Sequence, residues 1–556
     1  MQRFFRWLDQ LAVLDGESGV TLWLDRGAFL FLILMVLCEP HSIAATQTAM
    51  LIGMFMWAVG LVYRRFRRSS AESGKEQIAE DNWYRGIKPV RWLGWALWAF
   101  FLWSVVSSLV SYEPATSLDR LRGVALFMVF FYVMWNVRSR RAAYFLALAL
   151  IFSCMVNVVW MPIQRLIGRG VEIHGLSPDS ALAKAAIFDG DTLLEVNNKK
   201  VRTPEEVIAE LEKNDVSEVL FYRPDFEAVE PVKRSELLPG DTALQKLGVD
   251  GWSKSHNFRS HGFYSHYVTY AEVLQLITSL LFGLVIASLS RRRKSEPDNG
   301  EGATPFRPFS STLLLILALA GMCLALLLTV TRASQLAFMV SAFVIIVVGA
   351  SRKMLIAAVL IALPIVFGGL LFLQQSRNTG FFDPKDESTR YRTVMWKDGV
   401  RLWTENPHNF IFGLGMDSIQ KHWQEWGMFE GGFLPMGHFH SMPIQLLAER
   451  GLPALLIWLV VLGLYGWILF RAVGNSRSNP PPGGGGWMSH GILLGSLGGL
   501  IGFCTSGLVH YNLGDQVVAM AFYLLMGLGL KIAVLTDEDE SERHTAAVAV
   551  DYRIAA

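Results

Sequence analysis

The sequence predicts an all-α polytopic membrane protein of about 12 transmembrane helices, with a small α+β domain inserted on its outer side. Of its 556 residues, 52% are apolar, 12% are aromatic and only 18% are charged, whereas soluble domains carry about 25% charged residues. The mean hydropathy is +0.34. Stretches of about 20 apolar residues, the length that crosses a bilayer, recur along the chain. The net charge of +2 does not favour a basic nucleic-acid-binding protein, so no nucleic-acid partner is expected.

The apolar stretches define the predicted transmembrane helices in order along the chain. They are 27–44, 46–63, 90–111, 119–137, 142–164, 267–289, 310–330, 333–350, 353–374, 452–472, 488–510 and 514–535. Residues 1–26 contain acidic residues and no sustained apolar core, so no cleavable signal peptide is expected. The four cysteines lie in apolar runs without a paired motif, which favours neither a disulfide framework nor a zinc site.

Clusters of arginine and lysine predict the orientation, because such clusters flank the cytoplasmic ends of helices. Each cluster precedes the first predicted helix or follows an even-numbered one, as RRFRR at 64–68 and RRRK at 291–294 do. Both termini are therefore predicted to be cytoplasmic, in the inner membrane of a bacterium. Two long segments, about 165–266 and 375–451, then lie on the periplasmic side.

The first of these outer segments contains a stretch, 171–222, that is polar and carries turn signals. Ser177-Pro178 opens a short helix, Asn197-Asn198 turns a strand, and Thr203-Pro204 has the form of a helix start. A strand at Val219–Tyr222 is expected to close the unit. The run SPDSALAKAAIFDGDTLLEVNNKKV resembles the central stretch of PDZ domains. The resemblance implies either strand-addition binding of a protein partner or a spacer and docking surface.

Two function classes are disfavoured by what the chain lacks. An intramembrane metalloprotease needs two histidines and a glutamate, as in HExxH, and this motif is absent, as are a GxSxG elbow and a P-loop. A transporter of this size is expected to show two similar halves. This chain instead places two unequal insertions on one side and has no visible internal repeat.

Arginines and histidines lie near the predicted outer ends of helices. An arginine at membrane depth is costly and is usually functional. Arginine binds phosphate oxygens with a charge it does not lose, and histidine acts as a base near neutral pH. Together these side chains indicate a phosphorylated, lipid-anchored substrate. The residues are Arg259, His266, Arg332, Arg390, Arg392, Arg401, His438 and His440.

Three motifs resemble the O-antigen ligase/polymerase family. They are TVTRASQLAF around Arg332, RYRTVMWKDGVRLWTENPHNFIFGLGMDSI from Arg390, and HSMPIQLLAERGLPALL from His440. RSHGFYSHYVTY, which begins at Arg259, resembles the segment that precedes a mid-chain helix of the same family. The family implies metal-independent, inverting glycosyl transfer of the GT-C type, from a glycan on a polyprenyl (undecaprenyl) pyrophosphate to an acceptor hydroxyl.

The resemblance also implies residue roles. His440 is expected to be the base that removes the acceptor proton, and Arg332 and Arg259 are expected to hold the pyrophosphate. Arg392 is the third expected clamp, with Arg390, two residues earlier, as its alternative. His438, His266 and Arg401 are expected on the substrate-binding side. Glu449 is expected either to act in catalysis or to pair within the loop.

No cofactor or metal is expected, because the donor already carries the activated bond. The acceptor stays open between a lipid A-core glycolipid, a growing polysaccharide and a protein hydroxyl. A non-enzymatic membrane scaffold that recruits partners through the PDZ-like domain is the remaining alternative. The predicted organisation is helices 1–5 in 1–165, the PDZ-like domain in 166–235, a connector and helices 6–9 in 236–374, the catalytic loop in 375–451, helices 10–12 in 452–536 and a cytoplasmic tail in 537–556.

Overall fold

The computed structural model describes the chain as two compact units. The described residues are 2–14, 17, 19–69, 88–223, 226–292, 307–350, 387–432, 437–478 and 486–555. The first unit comprises Met1–Met155, Phe263–Leu327 and Thr331–Ala556, and it holds most of the helices. The second comprises Val156–Gly262 and Leu328–Val330, and it holds a β-sheet.

The helices are numbered in chain order. They are α1 (Gln2–Ala12), α2 (Gly19–Cys38), α3 (Ile43–Ser69), α4 (Lys88–Leu109), α5 (Pro114–Val124), α6 (Met128–Asn136), α7 (Arg140–Ile167), α8 (Ala181–Lys184), α9 (Pro204–Leu211), α10 (Ala243–Leu247), α11 (Tyr267–Arg292), α12 (Arg307–Leu328), α13 (Arg332–Gly349), α14 (Glu387–Thr404), α15 (Pro407–Phe412), α16 (Ser418–His422), α17 (Phe429–Gly432), α18 (Met442–Ser478), α19 (Gly486–Gly507) and α20 (Gln516–Ala555). The strands are β1 (Arg169–Leu176), β2 (Thr192–Val196), β3 (Lys199–Lys200), β4 (Val216–Arg223), β5 (Phe226–Lys233) and β6 (Val249–Ser255).

Ten helices in the described ranges are long and apolar enough to cross a membrane. They overlap ten of the predicted stretches, so the prediction of a polytopic helical membrane protein is confirmed. The predicted stretch 353–374 lies outside the described residues. The stretch 119–137 is not one regular helix, because a 3₁₀ turn at Ala125–Phe127 separates α5 from α6.

Close packing between α11 and α19 depends on glycines that face each other. A Cβ added at Gly283 would lie 2.3 Å from the backbone nitrogen of Gly495. A Cβ at Gly491 would lie 2.8 Å from the Cα of Leu284. Small residues four apart let helix backbones approach closely in a membrane, where apolar side chains alone give little driving force for association.

Helix α18 bends sharply where its sequence reads RGLP. Gly451 has φ 73° and ψ 179°, which interrupts the helix after nine residues. Pro453 then lies at the beginning of the longer part, where its missing N–H costs no hydrogen bond. The short first part of α18 therefore stands apart from the apolar helix that follows, and it carries the residues next to His440.

The second unit contains a six-stranded sheet with the order β5-β4-β2-β1-β6, with β3 paired to β2. All the pairs are antiparallel. Asn197 and Asn198 have φ 52° and 63°, as a tight hairpin turn requires. Thr203 caps α9 by accepting a hydrogen bond from the Glu206 N–H, and Pro204 follows as the first helical residue. The strand, turn and helix start predicted between 192 and 206 are therefore present.

The sheet is larger than the sequence predicted. The unit does not close at Tyr222, because β5, α10 and β6 follow and extend the sheet on both sides. Leu247 and Val249 from this extension are buried in the same core as Val171 and Leu193. Its strands were missed because β5 contains Pro231 and three charged positions, and because β6 reads VDGWSKS without apolar alternation.

Candidate active site

His438 and His440 lie in a tight turn immediately before α18. Their ring centroids are 4.1 Å apart, and the His440 backbone N–H donates a hydrogen bond of 3.1 Å to His438 Nδ1. Because that nitrogen accepts, the proton of a neutral His438 lies on Nε2. His440 has φ 48°, a left-handed conformation that costs energy in a residue other than glycine. Such strain is held where the surroundings determine it, frequently at functional sites.

The backbone on either side of His440 is fixed by buried side chains. The Phe439 N–H donates to Gln445 Oε1 at 2.7 Å, and Trp396 Nε1 donates to the Phe439 carbonyl at 3.0 Å. Gln445 Nε2 in turn donates to Glu449 Oε1 at 2.9 Å. Gln445 and Glu449 are each 1% exposed. This chain of hydrogen bonds connects the His440 turn to the first turns of α18.

Glu449 pairs within the loop, which is one of the two roles expected for it. Its Oε1 also accepts a hydrogen bond of 3.1 Å from the Asp417 N–H, and its Oε2 lies 3.4 Å from the Tyr511 hydroxyl, which donates to it. Arg450 donates to the same hydroxyl at 2.9 Å. The carboxylate thus joins three parts of the chain: α18, the segment before α16, and the connection between α19 and α20.

Glycines allow the segment Gly413–Gly415 and the end of the first part of α18 to meet backbone to backbone. Leu414 N–H donates to the Ala448 carbonyl at 2.7 Å, and Gly415 N–H donates to the Glu449 carbonyl at 2.9 Å. A Cβ added at Gly413 would lie 2.3 Å from the backbone nitrogen of Arg450, and φ is +75° there. No other residue fits this position without moving the backbone, so the GLG spacing has a structural cause.

The surroundings of His440 disfavour its protonated form. Burial lowers the pKa of His440 to about 2, and the neighbouring His438, His510, Arg392 and His266 add to the decrease. Burial and the charges of Arg392, His438 and His266 lower the pKa of His510 to about 3. The pKa of His438 is also lowered, mainly by burial. All three imidazoles are therefore neutral at physiological pH.

One nitrogen of His440 has no hydrogen-bond partner in the part of the chain that the structure describes. Its Nδ1 is buried and makes no hydrogen bond with any described residue. Orphaned buried polar atoms are uncommon in folded proteins, and a ligand is one explanation for them. The ring centroid of His510 lies 6.5 Å from that of His440. The cluster thus combines neutral bases, a fixed cation and an unpaired polar atom.

The arginines of α14 have different surroundings. Arg392 lies in the second turn and is close enough to lower the pKa of both His440 and His510. Arg390 is 63% exposed and pairs with Glu430 at 2.9 Å. Arg401 donates to the Trp426 carbonyl at 2.9 Å and lies 3.6 Å from Asp398. The geometry therefore brings Arg392, and neither Arg390 nor Arg401, into the histidine cluster.

The remaining predicted site residues lie at helix starts and in the second unit. His266 precedes α11, where its ring stacks on Tyr267 with the centroids 4.7 Å apart, and it adds to the electropositive field at His440. Arg332 is the first residue of α13, after Val330 with φ 55°. Arg259 belongs to the second unit, in the connection between β6 and α11, and is partly buried.

Sequence reasoning missed His510 and Tyr511, which lie between the last two apolar helices. The signal was present, because VHYNLGD is a polar stretch between two long apolar runs. Nothing local relates it to the His440 motif, which lies 70 residues away. Within the described residues, no three His, Cys, Asp or Glu side chains are arranged to hold a metal ion.

The O-antigen ligase family model matches residues 317–459. The matched stretch contains Arg332, Arg392, His438 and His440, while the sheet of the second unit lies before it. No curated protein matches the chain. The fold is that of a multi-pass membrane protein, and residues 317–459 of it are similar to the O-antigen ligase family. The family expected from the sequence motifs is thereby confirmed, and it indicates membrane glycosyl transfer of the ligase or polymerase type.

Proposed function

We propose that the chain transfers a glycan from a polyprenyl pyrophosphate to an acceptor hydroxyl on the periplasmic face of the bacterial inner membrane. The observation that carries this proposal is the His438–His440 turn. In it, a buried imidazole nitrogen that has no hydrogen-bond partner among the described residues lies in the electropositive field of Arg392. The arginine clusters support this orientation, because such clusters flank the cytoplasmic ends of helices and so favour cytoplasmic termini.

His440 acts as the general base on the acceptor hydroxyl. In the free enzyme its pKa of about 2 makes it a poor proton acceptor. The donor brings a pyrophosphate, and its negative charge offsets the positive field that Arg392 and His266 create. Binding of the donor thus raises the pKa of His440 when a base is needed. Burial, together with the same field, keeps the base unprotonated, and therefore available, before the donor arrives.

Arg392, Arg332 and Arg259 hold the pyrophosphate and stabilise the charge that develops as it leaves. For Arg392 the support is its electrostatic effect on the two buried histidines. For Arg332 it is the position at the start of α13, since the N–H groups of a helix start also favour an anion. Arg390 is the less suitable clamp, because Glu430 already pairs with it.

The reaction is a single displacement with inversion at the anomeric carbon. The bond from the acceptor oxygen to the anomeric carbon forms as the bond from that carbon to the pyrophosphate oxygen breaks. The acceptor proton passes to His440, and the electron pair leaves with polyprenyl pyrophosphate. The donor is already activated, so the proposal needs no metal or cofactor. Lipid A-core glycolipid, growing polysaccharide and protein hydroxyl are the three acceptor classes.

The test uses a bacterial strain that accumulates lipid-linked glycan. Wild-type chain is expected to transfer the glycan, and the labelled product names the acceptor class. Arg392→Lys is expected to lower transfer, because a lysine cannot donate the paired hydrogen bonds of a guanidinium. Arg390→Lys, two residues away in the same helix, is the matched control and is expected to transfer normally at equal membrane level.

Absence of transfer by the wild-type chain contradicts the proposal. Equal effects of Arg392→Lys and Arg390→Lys contradict the assignment of the clamp. The scaffold alternative makes the opposite prediction, since deletion of 171–222 abolishes its function whereas changes at Arg332 or His440 do not.

A further inference from the structure

We propose that the sheet unit is a positioning device for Arg259, with Arg169 and Phe258 as the residues that hold the Arg259 backbone in place. The inference rests on the proposed function, in which Arg259 binds the donor pyrophosphate. The proposal gives the sheet unit a role within its own chain. The sequence had instead indicated that this unit binds a protein partner or acts as a spacer.

The first observation is that the chain supplies its own edge strand. β6 pairs antiparallel with β1 from Arg169↔Ser255 to Leu176↔Val249. β1 therefore has neighbours on both sides, β2 and β6. A partner strand that pairs with an exposed sheet edge cannot add at β1 unless β6 leaves. Val249 at one end of β6 and Ser255 at the other are buried, so leaving would expose part of the core.

The second observation is chain continuity. Only three residues separate the end of β6 from Arg259, so the position of this strand limits where the arginine can be. Gly168 lets the end of β6 approach the end of α7. A Cβ added there would lie 2.8 Å from the Cβ of Lys254 and 3.2 Å from the Ser255 carbonyl oxygen. The link between sheet and arginine is therefore short and tightly packed.

The third observation is the set of contacts around Phe258, the residue before Arg259. Phe258 is 1% exposed. The Arg169 guanidinium lies 4.5 Å from its ring centroid and 4.8 Å from that of Tyr222. Arg165 Nη2 donates to the Phe258 carbonyl at 2.6 Å. An arginine stacked between two aromatic rings thus connects β4 of the sheet to the segment that carries Arg259.

Two further hydrogen bonds fix the same segment. His256 Nδ1 lies 2.7 Å from the Arg165 carbonyl oxygen. On the other side of Arg259, the Ser260 N–H donates to the Leu328 carbonyl at 3.0 Å. The backbone is thus held on both sides of Arg259. Glu227 pairs with Arg169 at 3.1 Å and keeps its guanidinium oriented.

These contacts predict that Arg169 acts through Arg259. Arg169→Lys keeps the charge but loses the planar group that stacks on both rings. Phe258→Leu keeps an apolar side chain but loses the ring. Both are expected to raise the KM for the lipid-linked donor on the order of tenfold or more, because small displacements of a binding group weaken its contacts strongly. A merely structural role would lower the amount of active enzyme and leave KM unchanged.

Arg223 provides the matched control, since it is an arginine of the same sheet with similar contacts. It pairs with Asp191 at 2.6 Å and lies 4.3 Å from the Phe188 ring centroid, far along the chain from segment 256–260. Arg223→Lys is expected to leave KM unchanged. A double-mutant cycle completes the set, because Arg169→Lys should have no further effect on KM in an Arg259→Ala background.

The experiment measures KM and kcat on the purified full chain, and amide hydrogen exchange over 256–262 without substrate. Arg169→Lys is expected to accelerate this exchange, and Arg223→Lys is not. Unchanged hydrogen exchange in Arg169→Lys, or effects of Arg169→Lys and Arg259→Ala on KM that add in the double mutant, would overturn the inference. The proposed function would still stand in that case, provided that the wild type transfers glycan. If the wild type transfers no glycan, the proposed function fails and with it this role for Arg259.

Discussion

Replacing Gln445 with leucine removes the side chain that connects the His440 turn to α18. Gln445 Oε1 accepts a hydrogen bond of 2.7 Å from the Phe439 N–H, and its Nε2 donates one of 2.9 Å to Glu449. Leucine has a similar volume and no polar atoms. The substitution therefore leaves the Phe439 N–H and the Glu449 carboxylate each without one partner inside a buried region.

The size of the effect follows from these two hydrogen bonds. A buried polar group that loses its partner costs about 1–3 kcal/mol. Two such groups give a decrease of roughly 2–6 kcal/mol in the free energy of unfolding. Part of this cost can be relieved if residues 439–440 leave the strained backbone conformation, in which His440 has φ 48°. A shift of about 1 Å in a catalytic group lowers the rate on the order of a hundredfold.

The assay compares thermal unfolding and glycan transfer for purified Gln445→Leu, wild type and Gln420→Leu. Gln420 is an exposed glutamine on α16 and serves as the control. We expect Gln445→Leu to lose both stability and transfer, and Gln420→Leu to lose neither. Wild-type stability and rate in Gln445→Leu would refute the view that this side chain holds His440 in place.

Three further predictions concern the acidic and basic groups of the site. The pKa of His440 is lowered to about 2, so His440 stays neutral on acidification. The kcat/KM for the donor should therefore not fall between pH 8 and pH 6. A decrease in kcat/KM centred near about pH 6.5, the ordinary histidine pKa, would contradict this. Burial of His510 lowers its pKa to about 3. Between about pH 6.5 and pH 3, the unfolded chain therefore binds a proton at His510 and the folded chain does not. The free energy of unfolding falls by up to about 1.4 kcal/mol per pH unit as the pH decreases through that range. His510→Gln should flatten this dependence in thermal denaturation between pH 7.5 and pH 5.5, and an unchanged slope would show that His510 is not its source. Glu449→Gln keeps an oxygen that accepts hydrogen bonds and should retain most transfer, whereas Glu449→Ala should lose it; equal losses in a transfer assay would indicate a catalytic role.

The helical part of the fold could be predicted because the length and apolar character of a helix are sufficient to identify a membrane span. Ten of the described helices confirm this. In the sheet unit, the sequence predicted the parts that turn and cap residues mark, at Asn197-Asn198 and Thr203. β6 was missed because its pairing is decided by β1, about 80 residues earlier, and its own sequence VDGWSKS has little preference for a strand.

The candidate site could be predicted where one short segment carries it. His438 and His440 are two residues apart, and the motif that begins at His440 carries the resemblance to the family. The choice between Arg392 and Arg390 could not be made from spacing, since both lie on the same helix. It depends on Glu430, which pairs with one of them across the loop. His510 joins the cluster only through the packing of the last two helices.

The most direct measurement is single-turnover glycan transfer by the purified chain, with a polyprenyl-pyrophosphate-linked glycan and an acceptor. His408 gives the matched control for His440, because it lies in the same segment between α14 and α18 and its Nε2 donates a hydrogen bond of 3.0 Å to the Val110 carbonyl. Removal of a general base is expected to lower the rate about 10²–10⁴-fold in His440→Ala, while His408→Ala transfers as wild type. A His440→Ala enzyme that transfers at the wild-type rate would contradict the assignment of the base.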